Sequence, residues 1–266
     1  MQSKIQRVYS VFRKKKIIIA FSGGVDSSVI AILAKKSADK VICCTLYHPL
    51  LLDDLEEIKK VASEINVDWR IIEIESIPNK IIEKNPKNRC YICKTNMMKY
   101  LIEYKNRKNF DMVVDGTNYD DLNKFRPGIK ALKELGVVSP LVAAKLTKRE
   151  IRDIAKSYNL SVAQKSPTTC LLSRIPYNEK ITKEKIEMIK KAENFLKKDL
   201  NMSLIRVRTH NLAKNNFLAR IEAKKEDIRR IIRSNELTTL IISKLKEIGY
   251  NLITIDLEGY HENYVK

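Results

Sequence analysis

The chain has 266 residues, which is longer than one typical domain and shorter than three. Hydrophobic residues make up 44% of it, enough to bury a sizeable core, while 7 glycines and 7 prolines exclude collagen-like and Gly/Pro-rich disordered classes. The 51 basic and 32 acidic residues give a net charge of +19, which favours anionic partners such as nucleotides, phosphorylated metabolites or nucleic acid. A compositional bias toward lysine would produce the same charge, so charge alone does not identify the partner.

The sequence predicts a cytoplasmic protein. No stretch approaches the roughly 18 consecutive apolar residues of a membrane span. The N-terminal segment 1–19 is basic and then apolar, as in a signal peptide, but the apolar part is short and lacks a small-residue cleavage site. We therefore interpret it as leading into a first buried strand. Five cysteines, an odd number in a reducing compartment, argue against a disulfide framework and favour metal or catalytic roles.

Apolar, β-branched runs alternate with segments of helical periodicity through the first two-thirds of the chain. The predicted strands are Lys16–Phe21, Val41–Leu46, Asp68–Ile74, Met112–Val114 and a short Val137–Leu141. The predicted helices are Val25–Lys36, Asp53–Ile65 and Lys148–Tyr158. Strands regularly separated by helices predict an α/β fold, with a parallel sheet and helices on both of its faces.

The pattern changes after about Tyr177, and we predict two domains, 1–177 and 178–266. The second is a smaller α+β module of ordinary domain size. Its predicted elements are a helix Thr182–Lys198, strands Leu204–Arg208 and Phe217–Glu222 around a polar turn, helices Lys225–Arg233 and Leu237–Ile248, and a last strand Leu252–Leu257.

The strongest local signal is the segment IIIAFSGGVDSSVIAIL, in which a tight turn joins the first strand directly to a helix. Glycines let the backbone pass close to a ligand, and the amides at a helix start attract phosphate. Hydroxyl donors from Ser22, Ser27 and Ser28 would add to these amides. The segment has neither the Walker pattern nor the Rossmann glycine fingerprint. An ordinary glycine-rich turn is the alternative, and the flanking strand and helix argue against it.

The SGGVDS sequence at such a turn resembles the loop of the PP-loop ATP pyrophosphatases, which cleave ATP between its α and β phosphates. The resemblance implies an adenine nucleotide α-hydrolase-like fold. It also implies that the loop holds the pyrophosphate of ATP and that Asp26 sits close to Mg²⁺. The residues implied in binding the pyrophosphate are Ser22, Gly23, Gly24, Asp26, Ser27 and Ser28.

Further segments resemble the LarE-type sulfur transferases, which make the nickel-pincer nucleotide cofactor. These segments are NRCYICKT (88–95), DGTNYDDLNKFRPG (115–128), SPTTCLLSRIPY (166–177), IRVRTHNLAKNNFLARIE (205–222) and YNLITIDLEGY (250–260). The resemblance spans nearly the whole chain in the right order. It implies adenylylation of a carboxylate on pyridinium-3,5-biscarboxylic acid mononucleotide, followed by conversion of that carboxylate to a thiocarboxylate.

Residue chemistry agrees with this resemblance at two places. The segment 115–118 follows a strand end, where open α/β sheets bind ligands, so Gly116 and Thr117 are expected beside the AMP. Arg206 and Arg208 are two apart on a predicted strand and therefore face the same way, as a fork for the phosphate of the mononucleotide. Solvated strand charges are the alternative for these two. Lys94 and Arg174, the cations that flank the cysteine segments, are further candidate substrate-binding residues.

Asp120 and Asp121 follow the same strand end, and two interpretations of them stay open. They could belong to the ligand site, or they could be surface acids that cap a helix.

The five cysteines fall into two groups. Cys43 and Cys44 lie in an apolar strand and are predicted to be core residues. Cys90 and Cys93 form a C-x-x-C pair, and Cys170 follows a polar Ser-Pro-Thr-Thr segment; all three have cationic neighbours that favour thiolates. A zinc site or a redox pair is the usual interpretation of C-x-x-C, but the chain has neither a second such pair nor a well-spaced pair of histidines.

Three thiolates instead suit a 4Fe–4S cluster with one iron left open, which could carry a sulfide. LarE-type proteins have two chemical forms. In the sacrificial form, a cysteine at the position of Cys170 attacks the acyl-adenylate, loses its sulfur and becomes dehydroalanine. In the other form, three cysteines hold a 4Fe–4S cluster. The presence of Cys90, Cys93 and Cys170 together favours the cluster form, with the sacrificial form as the alternative.

Two other functions remain open at this stage. One is tRNA thiolation by the same kind of loop, against which stands the lack of additional paired cysteines for zinc modules. The other is a non-catalytic nucleotide-binding regulator, which would leave three polar-flanked cysteines without a purpose. The predicted partners are therefore a small mononucleotide substrate and a sulfur donor, with neither membrane nor nucleic acid. The resemblance also implies a homo-oligomer.

Overall fold

The computed structural model describes residues 1–48, 55–74, 80–124, 126–165, 169–213 and 216–260. Internal contacts divide the chain into two compact units. The first unit comprises Met1–Pro78 and Asn88–Thr168, and the second comprises Asn79–Lys87 and Thr169–Lys266. The predicted domain boundary at residue 177 stays a prediction. No helix in the described ranges is long and apolar enough to cross a bilayer.

The strands are β1 (Lys16–Ala20), β2 (Lys40–Tyr47), β3 (Asp68–Glu73), β4 (Met112–Val114), β5 (Ile205–Ala213), β6 (Asn216–Ala223) and β7 (Leu252–Ile255). The α-helices are α1 (Gln2–Phe12), α2 (Val25–Lys35), α3 (Leu55–Ile65), α4 (Lys80–Glu83), α5 (Arg89–Arg107), α6 (Pro127–Glu134), α7 (Pro140–Ala143), α8 (Lys148–Ser157), α9 (Lys183–Asn194), α10 (Lys225–Arg233) and α11 (Asn235–Ile248). Short 3₁₀ helices cover Tyr119–Asn123, Ser161–Gln164 and Leu171–Arg174, and α9 continues as a π-helical turn over Phe195–Asp199.

The first unit is built on a parallel sheet with the strand order β3-β2-β1-β4. Side chains alternate between its two faces. Ile17 and Ile19 of β1 pack into one apolar cluster with α1, α2, α3 and α8. Ile18 points to the other face and packs with residues of α5 and α6. Helices therefore cover both faces, and the predicted α/β class with a smaller C-terminal α+β region is confirmed.

One predicted strand is wrong. Val137–Leu141 was expected to extend the sheet, but only Val138 pairs with it, through a single bridge to Val114. Pro140 begins the short helix α7 two residues later. Proline lacks a backbone N–H and favours the first position of a helix, so the chain leaves the sheet at this point. The other predicted strands of the first unit match to within one residue at each end.

Five α-helices in the described ranges were not predicted from the sequence, namely α1, α4, α5, α6 and α7. In α1, Val8 and Phe12 are fully buried, although the segment is polar overall. The predicted helix Asp53–Ile65 is observed from Leu55 onward, and residues 53 and 54 lie outside the described ranges.

The second unit contains a mixed sheet of order β5-β6-β7, in which β5 and β6 run antiparallel and β6 and β7 run parallel. Its apolar face packs against α9, α10 and α11. The strands of the predicted hairpin extend further into the polar turn than expected, to Ala213 and from Asn216, while residues 214 and 215 are outside the described ranges.

Candidate functional site

The turn between β1 and α2 adopts a conformation that requires glycine at one position. Gly23 has a φ of +65°, and a β-carbon there would stand 3.0 Å from Cγ1 of Ile58 on α3. Gly24 differs, because its φ of −86° is ordinary and the nearest atom to a β-carbon would be Oγ of Ser22, at 3.4 Å. The backbone at Gly24 thus faces open space, which leaves room for a ligand.

Serine hydroxyls line this turn. Oγ of Ser22 and Oγ of Ser27 are 3.3 Å apart, and Oγ of Ser27 donates to the carbonyl oxygen of Gly24 at 3.1 Å. Oγ of Ser28 is buried and has no hydrogen-bond partner among the described residues. A buried hydroxyl without a partner is costly, so Ser28 is suited to meet a polar ligand group at the start of α2.

Hydrogen bonds hold Phe21, the residue that follows β1, through both its backbone N–H and its backbone carbonyl group. The amide of Phe21 donates to the carbonyl oxygen of Cys44 at 2.9 Å, and its own carbonyl oxygen accepts from Oγ1 of Thr45 at 2.8 Å. Nε1 of Trp69 in turn donates to Oγ1 of Thr45 at 2.8 Å. Two neighbouring strands, β2 and β3, therefore hold the start of the turn.

The end of β4 lies directly beside this turn. A β-carbon on Gly116 would stand 3.2 Å from the amide nitrogen of Ser27 and 3.3 Å from Cβ of Asp26. The carboxylate of Asp115 accepts from Oγ1 of Thr117 at 2.5 Å and from Oγ of Ser139 at 2.6 Å. Residues 115–117 are thus brought against the first turn of α2, as expected for Gly116 and Thr117.

Asp26 makes the one ion pair of this region within the described residues. Its Oδ2 lies 2.5 Å from Nζ of Lys148, and its Oδ1 accepts from Nδ2 of Asn118 at 3.3 Å. The sequence analysis missed Lys148. The signal for it was the Thr-x-x-Glu pattern from Thr147 to Glu150, a capping box that starts α8 with Lys148 as its first residue.

Asp120 and Asp121 both cap helices, as one of the two interpretations expected, but Asp121 is buried and is not a surface acid. Oδ2 of Asp120 accepts from the amide of Lys148 at 2.8 Å, at the start of α8. Asp121 exchanges hydrogen bonds of 3.2 Å with Asn118 in a capping box of the 3₁₀ helix Tyr119–Asn123.

Burial divides the five cysteines as predicted. Cys43 and Cys44 are buried in β2, and burial raises the pKa of Cys44 to about 12 and that of Cys43 further still. Both are core residues. Cys90 is exposed and Cys93 half-buried in the first turn of α5, where their spacing of three places both on the same side of the helix. Cys170 is exposed in the second unit, immediately before the 3₁₀ helix Leu171–Arg174.

No group of three or more His, Cys, Asp or Glu side chains within the described ranges is arranged to hold a metal ion. The 4Fe–4S cluster therefore stays a prediction. Lys94, one turn after Cys90, is half-buried on α5 and packs beside Gly128 of α6, where a β-carbon would lie 3.5 Å from Cβ of Lys94.

The three predicted substrate-binding arginines, Arg174, Arg206 and Arg208, all lie in the second unit and are buried. Arg174 donates to Glu193, with Nε 2.7 Å from Oε1. Arg208 donates to Glu222, and Nη1 of Arg206 is 4.0 Å from Oε2 of the same carboxylate. Arg206 and Arg208 thus share one face, as predicted from their spacing, and they are not the solvated strand charges of the alternative interpretation.

Glu222 is the centre of a cationic group in this unit. Nη2 of Arg220 is 3.3 Å from Oε1 of Glu222, so one buried carboxylate is approached by three guanidinium groups. The side chain of Arg206 also donates to the hydroxyl of Tyr260 at 2.8 Å, and its guanidinium stacks 4.3 Å from the centre of that ring. Arg220 also pairs with a second carboxylate, since its Nε lies 3.5 Å from Oδ2 of Asp256.

The sequence model of the thiamine biosynthesis protein (ThiI) family matches residues 12–198, which include the turn, the end of β4 and Lys148. The protein belongs to the ThiI family. It is thereby one of the PP-loop ATP pyrophosphatases. We refer to the turn at Ser22–Ser28, which carries the SGGVDS sequence, as the PP-loop.

Relatives cover almost the full chain. The protein slr1717 of Synechocystis sp. (strain ATCC 27184 / PCC 6803 / Kazusa) is 34% identical over 98% of this chain and 96% of its own length. The protein MJ0830 of Methanocaldococcus jannaschii is 37% identical over 94% of this chain and 92% of its own. The pyridinium-3,5-bisthiocarboxylic acid mononucleotide synthase of Lactiplantibacillus plantarum is 26% identical over 92% of this chain and 87% of its own.

Proposed function

We propose that the protein is an ATP-dependent sulfur transferase that acts on pyridinium-3,5-biscarboxylic acid mononucleotide. In this reaction a carboxylate oxygen of the substrate attacks the α-phosphate of ATP, pyrophosphate leaves, and the acyl-adenylate is converted to a thiocarboxylate. The observation that carries the proposal is the similarity to the L. plantarum synthase, which extends through both units and not only through the PP-loop. The product would be an intermediate of the nickel-pincer nucleotide.

The PP-loop fits the ATP part of this reaction. The exposed amides at the start of α2 and the open side of Gly24 suit a pyrophosphate, and the buried hydroxyl of Ser28 offers it a hydrogen bond. Asp26 is the carboxylate placed to hold Mg²⁺. Gly116 and Thr117 would then border the AMP. When ATP and Mg²⁺ arrive, Lys148 would exchange the Asp26 carboxylate for a phosphate oxygen.

The arginines around Glu222 fit the phosphate of the mononucleotide. Arg206 and Arg208 carry two guanidinium groups on one strand, two residues apart, and guanidinium groups bind phosphate oxygens through charged hydrogen bonds. Replacing either arginine by Ala is expected to weaken use of the mononucleotide by roughly tenfold to a hundredfold, from a charged hydrogen bond of about 1.5–3 kcal/mol. ATP affinity should change little, because neither residue belongs to the PP-loop unit.

The three accessible cysteines are the candidates for the sulfur-transfer step. Cys90, Cys93 and Cys170 reach solvent, whereas the thiols of Cys43 and Cys44 are buried. The thiolates of these three cysteines suit an iron–sulfur cluster, because thiolates are the normal ligands of such clusters. A 4Fe–4S cluster on these three residues would supply sulfide to the activated carboxylate. In the alternative, Cys170 itself attacks the acyl-adenylate, AMP leaves, and β-elimination transfers the sulfur and leaves dehydroalanine.

The proposal is tested by ATP–pyrophosphate exchange with anaerobically purified protein. Exchange is expected only when pyridinium-3,5-biscarboxylic acid mononucleotide is present, and the thiocarboxylate product is then detected by mass spectrometry. Bulk tRNA serves as the competing substrate in a parallel reaction. If tRNA gains sulfur and the mononucleotide does not support exchange, the proposal is wrong and tRNA thiolation takes its place.

Single replacements of cysteine separate the two routes for sulfur. If the cluster is used, Cys90→Ala, Cys93→Ala and Cys170→Ala should each lose iron, brown absorbance and sulfur transfer, while pyrophosphate exchange survives. Cys43→Ala is the control and should keep both iron and activity. In the sacrificial route only Cys170 matters, and the mass of the protein falls by about 34 Da on turnover, as expected for loss of one H₂S by β-elimination.

A further inference from the structure

A basic surface lies at the end of the parallel sheet opposite the PP-loop, where the strands begin. Backbone contacts join its parts: the amide of Asp39 donates to the carbonyl oxygen of Lys15 at 3.0 Å, and that of Asp111 donates to Lys16 at 2.9 Å. Lys16 also pairs with Lys40 across β1 and β2. We call it the amino-end surface, and its exposed cations are Arg13, Lys14, Lys15, Lys16, Lys35, Lys36, Lys40, Arg107 and Lys108.

The charge of the amino-end surface is not neutralised from within the described part of the chain. None of its nine cations forms an ion pair there, and the exposed acids beside them are Asp39, Asp68, Asp111 and Glu103, which lies one helical turn before Arg107. Of these acids, Asp111 accepts from the backbone amide of Lys16 at 2.7 Å, and Asp68 pairs with Arg70 at 3.2 Å. Nine cations against four acids leave a surplus of five positive charges on one surface.

Compensation of helix dipoles explains only part of this charge. Lys35 and Arg107 lie in the last turns of α2 and α5, where cations are favourable. Lys15 lies in the turn before β1, Lys16 is the first residue of β1 and Lys40 is the first residue of β2. None of these three lysines lies in the last turn of a helix in the described ranges. The ends of helices therefore do not account for the presence of these three lysines on one surface.

We propose that the amino-end surface binds a single strand of nucleic acid. Seven of its nine cations are lysines, which are depleted in protein–protein interfaces and bind phosphates as point charges. The large exposed hydrophobic residues of the described chain all lie elsewhere, so the surface lacks the apolar anchors of a protein interface. Its charge pattern matches a phosphate backbone.

Two tyrosines at the rim favour a single strand over a duplex. Tyr158 and Tyr104 are half-buried, with Nζ of Lys36 4.5 Å from the ring centre of the first and the guanidinium of Arg107 5.6 Å from that of the second. Aromatic rings next to cations let unpaired bases stack while the phosphates are neutralised. The inference differs from the expectation drawn from the sequence, which had no nucleic-acid partner, and it does not depend on the proposed reaction.

The experiment compares two fourfold variants of the full chain that carry the same net charge. One replaces Lys15, Lys16, Lys40 and Lys108 by Gln. The matched control replaces four lysines exposed elsewhere, namely Lys59, Lys60, Lys198 and Lys246, by Gln. Binding of a short labelled single-stranded RNA is measured by fluorescence anisotropy over a series of salt concentrations, with a duplex of the same sequence and polyglutamate as competitors.

We expect the amino-end variant to bind the RNA at least about tenfold more weakly, with a salt slope smaller by about 3, because each phosphate contact on a single strand contributes about 0.7 to that slope. The control variant should bind like the unchanged protein, and the duplex should compete less well than the single strand. Equal loss in both variants would overturn the proposal, because net charge alone would then explain binding. Stronger competition by polyglutamate than by RNA would replace it by an acidic protein partner.

Discussion

Removal of the Lys148 ammonium group should separate ligand binding from folding. Its only ion-pair partner in the described chain is Asp26, at 2.5 Å, and the two side chains are 31% and 24% exposed. An ion pair that is this accessible contributes at most about 1 kcal/mol to folding. We therefore expect Lys148→Gln to lower the free energy of unfolding by less than that amount.

The effect on ATP should be larger. A charged hydrogen bond from Lys148 to a phosphate oxygen would contribute about 1.5–3 kcal/mol, so its loss should weaken ATP binding roughly tenfold to a hundredfold. Isothermal calorimetry with ATP and Mg²⁺ measures this affinity, and urea unfolding measures stability. Lys156→Gln, at the other end of α8, is the matched control, because the ion pair that Lys156 forms within the described ranges is with Asp153 on the surface, at 3.9 Å.

The two measurements decide between a ligand-binding and a structural role. If Lys148→Gln binds ATP as well as the control but unfolds with a free energy lower by more than about 2 kcal/mol, Lys148 is a structural residue that positions Asp26. That result would refute its assignment to a phosphate.

Gly24→Val should abolish ATP binding in calorimetry and leave the circular dichroism spectrum unchanged, because φ at this position is ordinary and the valine side chain would fill only the open side of the PP-loop. Unchanged ATP affinity would remove the loop from the nucleotide site. In the folded, iron-free protein, iodoacetamide at pH 8 should label three cysteines and leave Cys43 and Cys44 unmodified, because burial raises the pKa of both; peptide mass mapping checks this. The hydrogen bond from Lys4 lowers the pKa of Glu150 to about 2, below its usual 4.5. The stabilisation from Glu150 is therefore present above pH 4.5 and lost as the pH falls toward 2, and Glu150→Gln should flatten the acid limb of stability measured by urea unfolding between those values.

Strands and helices could be predicted where the pattern of apolar residues fits only one kind of element. The four strands β1 to β4 are apolar runs with turn residues or helices on either side, and each was found within one residue. The helix α5 was missed although it has 19 residues, because its buried side chains are sparse among lysines, asparagines and tyrosines. Only Met98 and Leu101 in it are buried apolar residues, so its helical period is hard to detect.

The PP-loop could be found from its residues, but the partners that surround it could not. Ser22–Ser28 form one continuous segment, and glycine followed by a helix start is informative by itself. Lys148 is 122 residues from Asp26 in the sequence, and nothing local connects them. The pairing of Arg206 and Arg208 with Glu222 was likewise hidden, because it depends on the register of β5 against β6.

The anchoring of Phe21 has a consequence for the thermodynamics of nucleotide binding. The hydrogen bonds that Phe21 donates to Cys44 and accepts from Thr45 fix the backbone at the start of the PP-loop before any nucleotide binds. Ordering a residue of flexible chain costs about 1–2 kcal/mol in conformational entropy. Since these hydrogen bonds already impose that order during folding, a triphosphate that enters the loop does not have to order this backbone, and less of its interaction energy is lost to conformational entropy.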